Sequence, residues 1–471
     1  MRARIRLLLG APATASLFGI AATASATASA TASATASACA PPRPTPGSLV
    51  DCAGGFGSNI TEAWCVARGC CFDDGSNETA RRCTYDEGMH DSEMVVWGEK
   101  SALNEHDDTP RNDKRASTDG LVESAATTAA ASSDGVTFHC VGACAAPRAV
   151  RSKGGNALMG GHMYPGVEIG TDLEAYRWFL DRADGGDVLV LTADEPPCDI
   201  YNPFLLDMNG THTKPNSVMT ACFTSRAGAS DAKLQTLLSG ASAIFVTGGD
   251  QAKYYDFWAN TSVAATLSSG VAVGGSSAGL AIQGEFVFDA LHGGVTSEDA
   301  LKHPTDSEVS LARAFVRVDE PWMRGVVTDT HFEQRDRMGR LVAFVARIAQ
   351  AGWARADGQK TAQPGVLGVG ISEHTALLVD AASGVAVFVG AGPAYLLSSQ
   401  GRTPTTCEEG KSLSWESPGV AVWRWSAADA ARNLTWSFGS WAPSDAAGGT
   451  SYSLTVHEGA LASTQKGGGI Y

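Results

Sequence analysis

The sequence predicts an α/β protein, a mostly parallel doubly wound sheet preceded by a small disulfide-rich module. Three observations predict it. From residue 154 onward short apolar runs alternate with amphipathic stretches, the pattern of strands covered by helices on both faces. Six of the 11 cysteines fall between Cys39 and Cys83. With 471 residues, 44% of them hydrophobic, the chain can bury a large core and build more than one folded unit. Subtracting 50 acidic from 35 basic residues leaves a formal charge of -15, which opposes attraction to phosphate backbones and anionic lipid. No nucleic-acid partner is expected. Beyond the extreme N-terminus no stretch reaches the roughly 20 apolar residues of a membrane span, so none is expected either.

At the N-terminus Arg2, Arg4 and Arg6 lead into an apolar stretch from Ile5 to Ile20, and Ala-x-Ala triplets such as Ala22-Thr23-Ala24 follow. Residues 1–26 read as a secretory signal, with an organelle transit peptide as the alternative because the segment lacks acids. Residues 27–38 repeat Thr-Ala-Ser-Ala and form a non-folding spacer. Asn59, Asn77, Asn209, Asn260 and Asn433 each begin an Asn-x-Ser/Thr glycosylation acceptor. The expected location is extracellular or the secretory lumen, a vacuole included.

Residues 39–84 hold Cys39, Cys52, Cys65, Cys70, Cys71 and Cys83, an even set in a stretch too short to support itself with an apolar core. Disulfides would supply the missing stability. Zinc is a poor alternative, because only the Cys65–Cys70 gap approaches the usual ligand spacing. The run Ile60-Thr61, Cys65, Gly69-Cys70-Cys71-Phe72-Asp73-Asp74 and Cys83 resembles a trefoil (P-type) domain. That resemblance implies the pairs Cys39–Cys71, Cys52–Cys70 and Cys65–Cys83, a choice that spacing alone does not make among fifteen connectivities. It also implies a carbohydrate or glycoprotein contact, although Arg82 stands where the family has an aromatic residue and the first two intercysteine gaps are long. Residues 85–150, rich in Asp, Asn, Ser, Thr and Ala, read as a linker, with Cys140 and Cys144 either paired or tied to the next domain.

In the main domain, residues 151–400, Ala157-Leu158-Met159 ends in a glycine pair, and a helix in which Leu173, Tyr176, Phe179 and Leu180 share a face precedes the strand Val188 to Leu191. Strand Ser217 to Phe223 and a helix from Asp231 follow. Ala243 to Val246 then runs into Thr247-Gly248-Gly249-Asp250-Gln251, and Val271 to Val273 into Gly274-Gly275-Ser276-Ser277-Ala278-Gly279. Ligands of open α/β sheets sit beyond the carboxyl ends of strands, so these glycine-rich ends are candidate sites.

Gly275-x-Ser277-x-Gly279 between a strand and a helix matches a nucleophile elbow, in which the turn forces the serine out over the sheet. A phosphate cradle is the competing use, weakened by the missing Gly-Lys-Ser/Thr ending. A serine hydroxyl needs a base, and His331, at the end of the run Val326 to Thr330, is suited to that role.

The phrase Asp329-Thr330-His331-Phe332-Glu333-Gln334-Arg335-Asp336-Arg337-Met338-Gly339-Arg340-Leu341 resembles the histidine segment of cyanophycinases. Phe245 to Gln251, the Ser-Ala-Gly turn and Gly370-Ile371-Ser372-Glu373-His374-Thr375-Ala376-Leu377 resemble three further family segments in the same order, over roughly residues 153–400. The chain is thereby identified with the cyanophycinase and dipeptidase E group of serine peptidases. The resemblance implies a class I glutamine amidotransferase-like fold and hydrolysis through an acyl-enzyme, without metal or organic cofactor. It gives Ser277 the nucleophile's place and His331 the base's, and it puts Gln251, Arg335, Arg337 and Arg340 in the substrate pocket. Backbone amides of Gly249 and Ala278 would hold the oxyanion. The acid is expected between serine and histidine: Glu298, with Asp299 and Glu285 behind it. Substrates would be acidic peptides or cyanophycin-like polymers with β-Asp-Arg bonds, but Thr330 replaces the usual Gln before the histidine. An aspartyl dipeptidase, or an idle binding protein using its trefoil-like module, are the alternatives. Residues 401–471, with Trp415, Trp423, Trp425, Trp436 and Trp441, read as a β-rich extension with a packed aromatic face. Cys198, Cys222 and Cys407 are left without an assigned pairing.

Overall fold

The computed structural model describes residues 71–73, 82–84, 131–193, 198–313, 315, 322–353, 365–431, 434–445 and 448–471. The chain divides into two units, Met1–Ser117 and Thr118–Tyr471. In the first, Cys71–Asp73 and Arg82–Thr84 form an antiparallel pair with Phe72 opposite Cys83. The expected leader, spacer and three disulfide pairings lie outside the described residues.

The second unit is built on two mixed sheets. In the larger, five strands run parallel in the order Asn156–Met159, Ala272–Ser276, Ala243–Val246, Val188–Thr192 and Ser217–Phe223. These strands are nearly continuous apolar runs because both of their faces are covered. Leu158, Leu189, Ile244 and Val273 point into one core with the helices Ala232–Gly240 and Gln251–Trp258. Their neighbours Ala157, Val188, Phe245 and Ala272 point into another, against Tyr176, Phe179 and Leu180 of helix Asp172–Ala183. The period-two alternation thus produces the doubly wound centre. The flanks are antiparallel: Val136–Gly142 beside Ser217–Phe223 at one side, and Thr375–Val379 and Val385–Gly390 beyond Asn156–Met159 at the other.

The second sheet carries Phe286–Phe288, Val326–Asp329 and Leu367–Ile371 in parallel, continued by the antiparallel strands Ala394–Ser398, Trp415–Trp425 and Thr450–His457. Val326, Leu367, Val369 and Leu396 share the core of the first sheet, while Val327 and Leu397 pack against the buried side of helix Met338–Gln350.

Two expected boundaries change. The last part of the expected linker is folded: Val136–Gly142 pairs along its whole length with Ser217–Phe223. Its alternation of buried Val136, Phe138 and Cys140 with Thr137 and His139 is a short strand signal, masked in the sequence by the polar run before it. Residues 401–471 are integral to both sheets, since Thr435–Ser437 pairs with Val385–Gly390 while the longer strands complete the second sheet. Trp425 stacks on Phe388 and Trp436 packs edge-on to Trp441, as a packed aromatic face requires. Cys140 pairs with Cys144 and Cys198 with Cys222, and Cys407 is a buried free thiol. Among the described residues no helix is long and apolar enough to cross a membrane.

Glycine is required where the strand ends meet. A Cβ on Gly279 would strike the carbonyl oxygen of Val246 and lie 2.8 Å from that of Thr247, whereas one on Gly240 would meet nothing within 4 Å. Gly279→Ala is therefore expected to cost about 1–3 kcal/mol by overpacking, read as a lowered urea midpoint. Gly240→Ala, at a helix end, should leave the midpoint unchanged or slightly raised.

Candidate functional site

Ser277 joins strand Ala272–Ser276 to the short helix Ala278–Ala281 with φ 54° and ψ -116°. A serine at positive φ costs of order 1–3 kcal/mol and persists only where its surroundings enforce it. Here they do. Gly274 leaves room for the rings of Phe179 and Phe245, and Gly275 for the carbonyl of Gly279. The Ser277 amide donates to Met159 O at 3.0 Å, and its carbonyl accepts from Leu280 and Ala281 at 2.9 and 3.0 Å.

His331 follows strand Val326–Asp329, also at positive φ, and its amide donates to Gly160 O at 2.7 Å. Its ring lies against Gly161, where a Cβ would come within 2.6 Å of Nε2. Ser277 Oγ is 2.7 Å from His331 Nε2, and Glu373 Oε1 is 2.6 Å from His331 Nδ1. Burial lowers the imidazole's basicity; the bond to Glu373 pulls the other way, and Arg335 and Arg337 add to the lowering. Burial of Glu373 opposes its charge, but the bond from His331 and the charges of His162, His331 and Arg335 prevail and hold the carboxyl below its usual range. Glu373 is thus ionised and His331 neutral near pH 7. Nδ1–H donates to the carboxylate, and the Nε2 lone pair faces the serine hydroxyl.

The acid beside His331 is Glu373, and Glu298 is not near it. Glu298 is exposed and pairs with Lys302 one turn along its own helix. Asp299 accepts from Thr296 Oγ1 at 2.6 Å, and Glu285 accepts from the Gly325 amide at 2.6 Å. The family resemblance implied an acid between serine and histidine. The usable signal was elsewhere: Glu373 lies just beyond the carboxyl end of strand Leu367–Ile371, where sites of open sheets gather.

The arginines also divide differently. Arg340 is buried and grips Asp329 with both Nε and Nη2, at 2.7 and 2.6 Å, so it does not line a substrate pocket. Arg337 bonds Asp329 Oδ1 at 3.3 Å and the carbonyl and hydroxyl of Thr330 at 3.0 Å; burial lowers its basicity to about 10. Burial opposes the charge on Asp329, but Arg340 and Arg337 outweigh it and keep the carboxyl low. Arg335 is exposed, and its charge reaches His331 and Glu373. The helix begins at Met338, after Arg335 and Arg337. Gln251 donates to Phe288 O at 2.7 Å. A Cβ on Gly248 would lie 3.5 Å from Ser277 Cβ, which places the Gly248-Gly249 loop alongside the serine, and Ala278 is buried next to it.

The trefoil (P-type) domain model matches residues 44–87, which takes in five of the six clustered cysteines and leaves Cys39 outside. Over 148 residues the chain is 31% identical to a cyanophycinase from Trichormus variabilis (strain ATCC 29413 / PCC 7937), covering 30% of this chain and 41% of that protein. A cyanophycinase from Geminocystis herdmanii (strain PCC 6308) is 29% identical over 150 residues, 31% of this chain and 45% of the relative. The chain thus spans less than half the length of these curated relatives. A crystal structure of a peptidase from an acI-B1 Actinobacterium is 16% identical, with TM-score 0.35, covering 52% of this chain and 90% of that one. The chain is similar to cyanophycinases over about a third of its length and carries a trefoil match at residues 44–87.

Because Arg340 neutralises a buried carboxylate, Arg340→Leu should destabilise the fold by about 3–5 kcal/mol, seen in denaturant unfolding. A residue that only gripped substrate would leave the unfolding midpoint unchanged.

Proposed function

We propose that this chain is a secreted serine-type peptidase of the cyanophycinase-like kind, acting on acidic peptides through an acyl-enzyme. One observation carries the reading: the unbroken chain of hydrogen bonds from Ser277 Oγ through His331 to Glu373, on a turn that holds the serine in a strained conformation. His331 Nε2 takes the Ser277 proton as Oγ attacks the carbonyl carbon. Charge that builds on the carbonyl oxygen is met by the amides of Gly249 and Ala278. The C–N bond breaks as His331 returns the proton to the leaving amine, and water, activated by the same imidazole, releases the acid. Glu373 holds the productive tautomer and steadies the imidazolium.

The curated relatives are named cyanophycinases, which supports a β-Asp-Arg bond as the first substrate to try. Thr330 in place of Gln, and the binding of Arg337 and Arg340 to Asp329, favour a broader acidic-peptide specificity that includes α-Asp dipeptides. Secretion is supported by the Arg-led apolar leader, by the bonds Cys140–Cys144 and Cys198–Cys222, and by the exposure of the acceptors Asn209 and Asn260.

Ser277→Ala should abolish fluorophosphonate labelling and lower kcat by about a thousandfold or more, with folding intact by circular dichroism. Full turnover in that variant would refute the assignment. Glu373→Gln should lower kcat about 10²–10⁴-fold through loss of the tautomer, while Glu298→Gln changes it less than about twofold. Since burial holds His331 below its usual range, the acid limb of kcat/KM should fall below about pH 6.5.

A further inference from the structure

Beyond Ser277 and His331 the same strand end supports a second imidazole cluster. The amide of His374 donates to Gly161 O at 3.0 Å, and its Nδ1 is 2.8 Å from Asp172 Oδ2. Asp172, fully buried, opens helix Asp172–Ala183; its Oδ2 also accepts from the Ile169 amide at 2.9 Å. Asp172 Oδ1 has no partner among the described residues. A buried carboxylate so placed is costly unless a cation balances it, and His374 is the basic group bonded to it. With Nδ1 occupied, the His374 ring, 25% exposed, keeps Nε2 for another partner. His162 follows Gly161 at φ 56°, its ring edge-on to both neighbours, 6.4 Å from His331 and 5.8 Å from His374.

An acidic substrate approaching a chain of net charge -15 needs local cations. Arg337 and Arg340 are occupied by Asp329, which leaves the imidazoles and Arg335. We propose that His162 and His374, the latter anchored by Asp172, form a carboxylate-binding subsite beside the Ser277–His331 pair and hold an acidic group of the peptide substrate. This rests on the peptidase reading for its use, though its affinity can be measured without catalysis. The acids around His374 are Asp172 from the helix and Glu373 at its side, and the ring of His162 packs edge-on to it from the strand end. The bond to Asp172 raises the basicity of His374, burial opposes it, and Asp172 and Glu373 add to the rise. His374 therefore keeps its proton at a pH where His331 has lost its own.

The test is calorimetric binding of the dipeptide β-Asp-Arg, and of the same dipeptide with both carboxyls amidated, to the full chain carrying Ser277→Ala at pH 6 and pH 8. The free acid should bind about tenfold more tightly at pH 6 than at pH 8, with the amidated peptide changing less than twofold. His374→Asn should remove that preference, and His162→Gln, which keeps the His374–Asp172 bond, should weaken the free acid about tenfold at pH 6 with an unchanged urea midpoint. Equal binding of the two peptides, indifference to His162→Gln, or no binding of the free acid at pH 6 would overturn the subsite. Fluorophosphonate labelling of the unaltered chain separates the two ideas: labelling without carboxylate preference sinks the subsite alone. Carboxylate preference without labelling sinks the peptidase reading and leaves the subsite standing.

Discussion

Three consecutive carbonyl groups organise the candidate site. Met159, Gly160 and Gly161 accept the amides of Ser277, His331 and His374 in turn. Each donor comes from a different strand end, so one segment of backbone sets the spacing among segments far apart in the chain. Backbone bonds of this kind depend on strand register, and Asn156–Met159 is pinned on both sides, by Ala272–Ser276 and by Thr375–Val379. The two glycines follow from the same constraint. A Cβ on Gly160 would strike the carbonyl of Ser372, and one on Gly161 the ring of His331. Positioning by a paired strand is more exact than positioning by loop side chains.

The segment after His331 is held from below and from outside. Asp329, buried two residues ahead of His331, collects Arg340 and Arg337, and Arg337 in turn ties down the carbonyl and hydroxyl oxygens of Thr330. Further along, Glu333 accepts from the Tyr395 hydroxyl at 2.7 Å and Asp336 from the Tyr471 hydroxyl at 2.6 Å. What reads in sequence as an arginine-rich substrate grip is in large part the internal frame of a loop. A net-negative protein thus uses two of its cations to order the segment that carries His331.

Much of this was legible beforehand. Apolar runs ending in glycine pairs gave the parallel centre, because strands covered on both faces must be apolar throughout and must end in small residues where backbones converge. The Ser277 turn was readable because a strained strand-to-helix turn needs small neighbours, and His331 because the phrase that holds it resembles the histidine segment of cyanophycinases. Glu373 was hidden because chain order says nothing of which strand end lies next to which. Val136–Gly142 was hidden because seven alternating residues after a long polar run carry little periodic signal. The roles of Arg337 and Arg340 were hidden because Asp329, their partner, stands in the same phrase, and a sequence does not tell a side chain facing the interior from one facing a ligand.

Cys407, the free thiol among the described residues, has a bearing on how the remaining sulfur chemistry stays orderly. It is buried, and burial pushes its pKa up to about 11, with Arg347 pulling weakly the other way. Near neutral pH roughly one such group in ten thousand is ionised. Since only the anion attacks a sulfur–sulfur bond, this residue is a negligible catalyst of bridge reshuffling, and Cys140–Cys144 and Cys198–Cys222 keep their partners despite an odd sulfhydryl in the same unit.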